Sequence, residues 1–405
     1  SVYEMQKLPG FRHDGNANYF KAHVGWSALT SGAPSFRFID DGHTFGSGSK
    51  ALVATRQDML RALGVLNSAL AAELLEGLSP TLNFEVGHIG LLPTIRGGVT
   101  TDLEKSVEEA IQFARAEWDE SELSMGFMTS PLIGHGATVE GAVVEFRSRS
   151  RERAECVAAL EGKIEFEVRR IFDVGLTEAA RARAAGTAGP ATPSKELVLD
   201  LVSYAIGCIF GRYSLDEPGL ILADQGATLQ DFLAKVPNKT ITPDADNAVP
   251  IVDGDWFEDD VVGLFRQFLR IAFGEQHFEE NLNFVTESLG VKTLRDYFIT
   301  RAGRSKFYED HVQRYKKRPI YWLFSSSKGS FNALVYMHRY TPSTVSTVLT
   351  YLREYVTKLE SALQQAERVG NAKEADRLRK ILVELNAYEH DTLYPKASEN
   401  VVIDL

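Results

Sequence analysis

The C-terminal region reads TVSTVLTYLREYVTKLESALQQA over residues 344–366 and KEADRLRKILVELNAYE over residues 373–389. In both stretches Leu and Val recur at the spacing of one helix face, and charged residues alternate in sign between them. Val369-Gly370-Asn371 separates the two stretches, and a short connection of this kind is typical of antiparallel helices. The sequence therefore predicts a C-terminal helical hairpin, with the start of a further strand at residues 401–405.

Helical patterns also dominate the chain upstream of this hairpin. Residues 57–78 carry Leu at three- and four-residue intervals, and Gly77 and Pro80 end that predicted helix. The charged stretch at residues 139–185 predicts a long helix that acts as a spacer, and AGTAGPATP at 185–193 is the linker candidate. Further apolar helices are expected at residues 196–213, 261–273 and 279–289.

The N-terminal region has a different pattern. Its first 57 residues are rich in Gly, Ser and aromatic residues, and Ser35-Phe36-Arg37-Phe38-Ile39 predicts a short strand between turns. Residues 81–86 alternate, which places Leu82, Phe84 and Val86 on one face of a second strand. The predicted fold is thus an α+β N-terminal unit, then a mainly α-helical region with a long spacer helix and a C-terminal hairpin.

Charge is unevenly distributed along the 405 residues. Lys and Arg number 44 against 55 Asp and Glu, which gives a formal net charge of −11. Between Arg295 and Arg339, however, ten basic residues accompany only three acidic ones. Such a segment suits a polyanion, whereas the rest of the chain would repel one. A solvated surface without any partner explains the same composition.

The patterns of metal sites and of common catalytic sites are absent. No His-x-x-x-His pair occurs, and Cys156 and Cys208 lie far apart, so we expect no metal and place Cys208 in the core. Acidic residues between Asp244 and Asp260 lack calcium-loop spacing and suit the N-terminus of the next helix. No apolar run of 18 residues and no signal-peptide pattern occurs, which favours a cytoplasmic protein without a membrane segment.

Basic and aromatic residues are concentrated at residues 315–324, YKKRPIYWLF. Cations next to flat rings can bind phosphates and stack on bases. The same pattern is typical of a buried strand behind a solvated turn, and both interpretations stay open from the residues alone.

Several stretches of the chain are distinctive. They are WSALTSG at 26–32, LNS at 66–68, SPTLNFEVG at 79–87, SYAIGCIFGRYS at 203–214 and KRPIYWLFSS at 317–326. Together they resemble the PglX family, the adenine-specific DNA methyltransferases of BREX phage-defence systems. The Leu-Asn-Ser and Thr-Leu-Asn-Phe elements are shared with target-recognition domains of restriction-modification methyltransferases.

The resemblance implies a division of labour within a longer enzyme. In this family a Rossmann-like domain binds S-adenosylmethionine and methylates N6 of adenine. A recognition domain reads the DNA site, and helical regions bind the duplex. The catalytic Asn/Asp-Pro-Pro-Tyr/Phe motif and the Gly-rich cofactor turn do not occur in these 405 residues. We therefore expect a truncated portion that begins inside the recognition domain, without catalytic residues or a cofactor of its own. S-adenosylmethionine is expected for the full-length protein.

The resemblance also divides the chain into four parts. Residues 1–95 would be part of a target-recognition domain, 96–190 a helical spacer, 191–343 a mainly helical domain with the basic-aromatic segment, and 344–405 the hairpin and the start of a strand. The chain would act as the DNA-recognition and positioning portion of the enzyme.

Double-stranded DNA is the partner that this role requires. Arg37, His43 and Lys50 are expected to lie towards the grooves, since Arg and Lys pair with guanine edges or phosphates. The residues expected to hold backbone phosphates are Lys316, Lys317, Arg318, Lys328 and Arg339.

Two other functions are compatible with the residues. The chain could be a helical protein-interaction scaffold that docks other BREX components through its hairpin, because its acidic remainder repels phosphate. A self-contained enzyme is disfavoured by the missing motifs.

Overall fold

The structure is a computed structural model whose backbone divides into two compact units. Unit 1 comprises Ser1–Glu117 and Arg149–Pro190, and unit 2 comprises Trp118–Ser148 and Ala191–Leu405. The described residues are 7–9, 15–32, 34–46, 48–79, 82–95, 97, 101–175, 177 and 191–398. The division into four domains expected from the sequence stays a prediction.

Unit 1 begins with a small antiparallel sheet. Its strands are β1 (His23–Ser27), β2 (Arg37–Ile39) and β3 (Ser49–Leu52), in the order β2-β1-β3. Val24 on the central strand lies opposite Phe38 and Leu52 and is fully buried. The strand predicted around Phe36 and Phe38 is thus confirmed at β2.

Helices cover this sheet and form the core of unit 1 with it. They are α1 (Arg56–Leu66), α2 (Ala69–Leu78), α3 (Val86–Ile89) and α4 (Thr101–Trp118). Leu63 of α1 and Val107 of α4 belong to the same buried cluster as Val24 and Trp26 of β1. Burial of these apolar side chains stabilises the unit.

The single helix predicted over residues 57–78 is wrong at its centre, where α1 and α2 separate. Asn67 leaves the helix because its side chain donates to Phe36 O at 2.9 Å and accepts from Phe36 N at 3.1 Å. Ser68 then caps α2 by accepting from Ala71 N at 3.2 Å. The Leu periodicity continues through the break, so it did not reveal it.

The strand predicted over residues 81–86 is also wrong. Among the described residues of this stretch, one bridge forms, between Leu29 and Asn83, and Val86 already begins α3. Phe84 is buried, but Leu82 and Val86 are 56% and 55% exposed, so they do not share its face. Phe84 is fixed individually, since its carbonyl accepts from Trp26 Nε1 at 2.9 Å.

The long helix predicted over residues 139–185 is confirmed as α5 (Val139–Ile171), although it ends earlier. Its residues up to Ser148 cluster with unit 2, and those from Arg149 onwards cluster with unit 1. Most of the predicted linker at 185–193, and all of the predicted strand at 401–405, lie outside the described residues.

Unit 2 contains the apolar helices that the sequence predicts. Its α-helices between residues 194 and 314 are α6 (Ser194–Phe210), α7 (Leu229–Lys235), α8 (Val261–Phe273), α9 (Phe278–Leu289), α10 (Arg295–Phe298) and α11 (Lys306–Arg314). Asp260 caps α8 by accepting from Gly263 N at 2.7 Å, which fits the predicted role of the preceding acidic residues. Cys208 of α6 is buried, as predicted.

A second antiparallel sheet lies between two apolar layers of unit 2. Its strands are β4 (Val249–Ile251), β5 (Tyr321–Ser325) and β6 (Asn332–Tyr336), in the order β4-β6-β5. Leu334 and Tyr336 pack into the cluster formed with α6, α8 and α9, whereas Ala333 and Val335 pack into the cluster formed with the hairpin. Successive residues of a strand point to opposite faces, so β6 contributes to both cores.

The predicted C-terminal hairpin is confirmed. It consists of α12 (Thr344–Arg368) and α13 (Ala372–Tyr388), and α14 (Tyr394–Ser398) follows. With its two small antiparallel sheets and its many helices, the chain has an α+β fold. Within the described residues, no helix combines the length and the apolar character needed to span a membrane, and no group of His, Cys, Asp or Glu could hold a metal ion.

Candidate nucleic-acid interface

The predicted groove contacts in unit 1 lie on or near its sheet. Arg37 begins β2 and is exposed, and His43 is exposed in the loop that follows, with Nδ1 3.1 Å from Asp40 O. Lys50 lies on β3, half-buried, and its Nζ is 3.0 Å from Glu85 Oε2. The charge of Lys50 is therefore already compensated within unit 1.

The ten cations between Arg295 and Arg339 fall into three groups in unit 2. Three of them form ion pairs: Arg295 with Asp255 and Asp260, Arg304 with Glu309, and Arg314 with Asp200. The charges of these three arginines are compensated by acidic residues of the chain itself, so they are less available to bind a polyanion.

Arg339 is the predicted phosphate contact that the structure argues against. It is only 6% exposed, and its guanidinium donates to Phe210 O, Asp244 O and Ala245 O at 3.2, 2.9 and 3.3 Å. Burial lowers the pKa of Arg339. A side chain enclosed in this way supports the loop before β4 and does not reach a phosphate in solvent.

The other six cations are exposed and have no ion pair with any residue that the structure describes. They are Arg301, Lys306, Lys316, Lys317, Arg318 and Lys328. Four of the five predicted phosphate contacts thus belong to this set. The loops that carry Arg301, Lys316, Lys317, Arg318 and Lys328 are called the basic loops, and Lys306 begins α11.

The first basic loop is the turn between α11 and β5. Lys316 and Lys317 both have positive φ, 50° and 65°, which is uncommon for residues other than Gly. Backbone hydrogen bonds close the turn, from Lys317 N to Val312 O at 2.8 Å and from Arg318 N to Tyr315 O at 2.9 Å. The surrounding structure must impose this conformation, since it is strained in isolation.

His311 provides one of the constraints on that turn. Its Nε2 accepts from Ile320 N at 3.1 Å and from Tyr321 N at 3.2 Å, so the ring fixes the first residues of β5. Burial, assisted by Arg314 and Arg212, lowers the pKa of His311 to about 3. The imidazole is consequently neutral and keeps its acceptor over the physiological pH range.

A buried carboxylate provides the second constraint. Glu122 accepts from Tyr315 Oη at 2.8 Å and from Ser203 Oγ at 2.5 Å. Burial, with the neighbouring Glu122, raises the pKa of Tyr315, so its hydroxyl stays protonated and donates. Tyr315 directly precedes the two lysines, and Glu122 therefore holds the base of the turn.

The second basic loop connects β5 to β6 and is held by Glu384 of α13. Glu384 accepts from Ser326 Oγ at 2.5 Å, from Ser330 Oγ at 2.5 Å and from Lys328 N at 2.7 Å. Burial acts to raise the pKa of Glu384, but these hydrogen bonds outweigh it and hold the pKa below its usual range. The ionised carboxylate of Glu384 thus holds the loop that carries Lys328 in place.

A third loop, residues 300–304, lies against the second one through two glycines. Gly303 and Gly329 have φ of 75° and 69°, and a Cβ on Gly303 would lie 2.0 Å from Lys328 O. A Cβ on Gly329 would lie 2.1 Å from Gly303 O. Only Gly fits at either position, and this contact places the loop of Arg301 beside that of Lys328.

Sequence reasoning located most of these cations but missed their supports. His311, Glu122 and Glu384 belong to no motif, and each acts on residues that are distant or on another element. One weak signal existed for Glu384, since it lies between the core residues Leu382 and Leu385 of α13.

The sequence is 31% identical, over a 430-residue alignment, to the adenine-specific methyltransferase BrxX of Escherichia coli O9:H4 (strain HS). It is 32% identical over 370 residues to the adenine-specific methyltransferase PglX of Lacticaseibacillus casei (strain Zhang). These alignments cover 96% and 87% of this chain. The chain is a homologue of a portion of the BrxX and PglX adenine-specific methyltransferases.

The portion is limited in length. The chain spans 35% of BrxX and 30% of PglX. No family model matches the chain. The two alignments confirm the resemblance to PglX that was inferred from the sequence.

Proposed function

We propose that this chain is the DNA-recognition and positioning portion of an S-adenosylmethionine-dependent adenine-N6 DNA methyltransferase of a BREX-type phage-defence system. In this proposal the methyl transfer takes place on residues of the enzyme outside these 405. S-adenosylmethionine is the cofactor of the whole enzyme, and double-stranded DNA is its substrate.

The basic loops are the observation that carries the proposal. Five exposed cations without an acidic partner among the described residues lie on loops of unit 2 that are held by buried side chains and by a glycine contact, and a sixth, Lys306, begins α11. Loops held in place lose less entropy on binding, which favours their contact with a regular phosphate backbone. Homology to part of two adenine-specific methyltransferases makes DNA the fitting polyanion.

The contacts divide by their chemistry. Lys316, Lys317, Arg318 and Lys328 would neutralise phosphates and supply affinity for any sequence. Arg37 and His43 of unit 1 are proposed to reach base edges, because an exposed Arg can pair with guanine. Lys50 is the weakest candidate, since it must first leave Glu85.

Duplex binding across a salt series tests the proposal, with S-adenosylmethionine calorimetry on the same chain. We expect the logarithm of the affinity to fall with the logarithm of the salt concentration, with a slope of about −5 if all six cations release counterions. We expect no heat from the cofactor. Absence of duplex binding at low salt, or a slope near zero, would refute the role of the basic loops.

The scaffold function keeps one observation in its favour. Val369 and Val383 of the hairpin are each 71% exposed, and exposed apolar residues suit a protein interface. Retention of another BREX component through the hairpin, without any duplex binding by the chain, would make this the better function.

A further inference from the structure

Trp322 is an exposed aromatic residue in the middle of strand β5. It is 40% exposed, whereas Tyr321 is fully buried and Phe324 is only 5% exposed. Because its neighbours are anchored in the two cores of unit 2, the indole stands on a rigid strand. An aromatic ring held in this way loses little entropy when a flat ligand stacks on it.

The ring lies at the border of the layer formed by the hairpin. Trp322 is opposite Val335 of β6, and directly opposed residues share a face of the sheet. Val335 is fully buried in the hairpin core, and Trp322 on the same face is not. Among the described strands β5 forms an edge of the sheet, so the indole lies where this cover ends.

Exposed cations flank the ring on both sides along the chain. Arg318 precedes Trp322 by four residues, at the end of the turn before β5, and Lys328 follows it in the next loop. Neither cation has an ion pair with a described residue, and Glu384 beside Lys328 is buried and occupied by hydrogen bonds. The strand that carries the indole is therefore bordered along the chain by one exposed cation before it and one after it.

This arrangement differs from what a duplex needs. Phosphates of a duplex are satisfied by cations alone, because the base faces are stacked on one another and hidden from protein side chains. An exposed ring between cations instead matches proteins that bind single strands, where bases stack on aromatic side chains and the backbone follows basic residues.

We infer that Trp322, with Arg318 and Lys328, forms a site for an unpaired nucleotide of a DNA strand. The base stacks on the indole, and the phosphates on either side contact the two cations. The inference rests on the proposed DNA-binding function and deepens it. Enzymes that modify a base inside a duplex extrude it, and extrusion leaves nucleotides unpaired nearby.

Binding of a short labelled oligothymidylate, compared with a duplex of equal length, tests the site on the 405-residue chain. We expect Trp322→Ala to weaken binding of the oligothymidylate by about 5- to 100-fold. Binding of the duplex should change by less than about twofold, because the phosphate contacts remain. Trp322→Phe should recover part of the loss, since a smaller ring still stacks.

Trp118→Ala is the matched control, because Trp118 is also exposed, at 56%, but lies on α4 away from the basic loops in sequence. An equal loss in this variant, or an unchanged affinity of Trp322→Ala for the oligothymidylate, would overturn the inference while duplex binding upholds the proposed function. A protein ligand of Trp322 would give that same unchanged affinity. Failure to bind either DNA would overturn both proposals.

Discussion

The two sheets of this chain each have three antiparallel strands, yet they support their loops differently. In unit 1 only β1 is mostly buried, and the flanking β2 and β3 are half-buried or exposed. In unit 2 all of β4 and β6 is buried, with an apolar core on each face.

The difference decides how the cations next to each sheet are held. Lys50 in unit 1 is held by a partly exposed ion pair with Glu85, which contributes little to stability. Lys328 in unit 2 is placed by its backbone, which donates to the buried Glu384, and its ammonium forms no ion pair with a residue that the structure describes. A cation whose backbone is hydrogen-bonded is thus held in place, and its charged side chain remains available to bind an anion.

Among these variants, substitution of Glu384 should have the largest effect, and this effect is on the free energy of unfolding. Glu384→Ala leaves the hydroxyls of buried Ser326 and half-buried Ser330 and the Lys328 amide without this acceptor, and we expect a loss of about 2–4 kcal/mol in the free energy of unfolding. Urea denaturation monitors it. Asp376→Ala on the same helix is the control, since its exposed pair with Lys380 should contribute little to stability. Equal losses of unfolding free energy in the two variants would show that Glu384 does not hold the loop of Lys328 in place.

Removal of the charges of the first basic loop should have the next largest effect. Lys316→Gly and Lys317→Gly preserve the positive φ, and Arg318→Ala completes the triple variant. The salt slope of duplex binding should become less steep by about 2–3 if all three contact phosphates. A triple variant of Lys373, Arg379 and Lys380 to Ala removes the same charge from the hairpin. If both triple variants change the slope equally, only net charge matters.

The support by His311 should make the stability of unit 2 depend on pH. The pKa of the folded state, about 3, lies below that of an unfolded His near 6.5, so the unfolded state binds more protons between these values. Stability is therefore full above pH ~6.5 and falls as the pH decreases towards 3, by up to about 1.4 kcal/mol per pH unit. His311→Gln keeps an acceptor that does not titrate, and its unfolding should lose this part of the pH dependence.

The smallest effects are expected in unit 1. Arg37→Ala should change the salt slope by about one if it contacts a phosphate, and should alter base preference if it contacts guanine. Lys50→Ala should change affinity less, because its charge is shared with Glu85. Titration of both variants with the same duplexes compares them, and a larger effect for Lys50 would reverse the ranking of the two sheets.

Local periodicity predicted the helices well because each pattern repeats over several turns. The hairpin and the helices at 196–213, 261–273 and 279–289 agree with α12, α13, α6, α8 and α9. Short-range patterns failed where one side chain overrides them. Asn67 interrupts the leucine periodicity by pairing with the backbone of Phe36, 31 positions away.

The candidate site shows the same limit. Composition located the cations of residues 295–339, but it did not distinguish exposed Lys328 from Arg339, whose guanidinium is enclosed by three carbonyls. The supports were hidden because they act over long separations. Glu122 and Tyr315 are 193 positions apart, and no local pattern relates them.

The glycine contact between residues 303 and 329 has a consequence for the order of folding. It joins segments on either side of α11 and β5, so we expect it to form after that helix and the β5-β6 ladder. The hairpin α12-α13 needs only local contacts and can assemble early. We therefore expect the basic loops to reach their native arrangement late, and a chain trapped before this step would have native helices without the native arrangement of these cations.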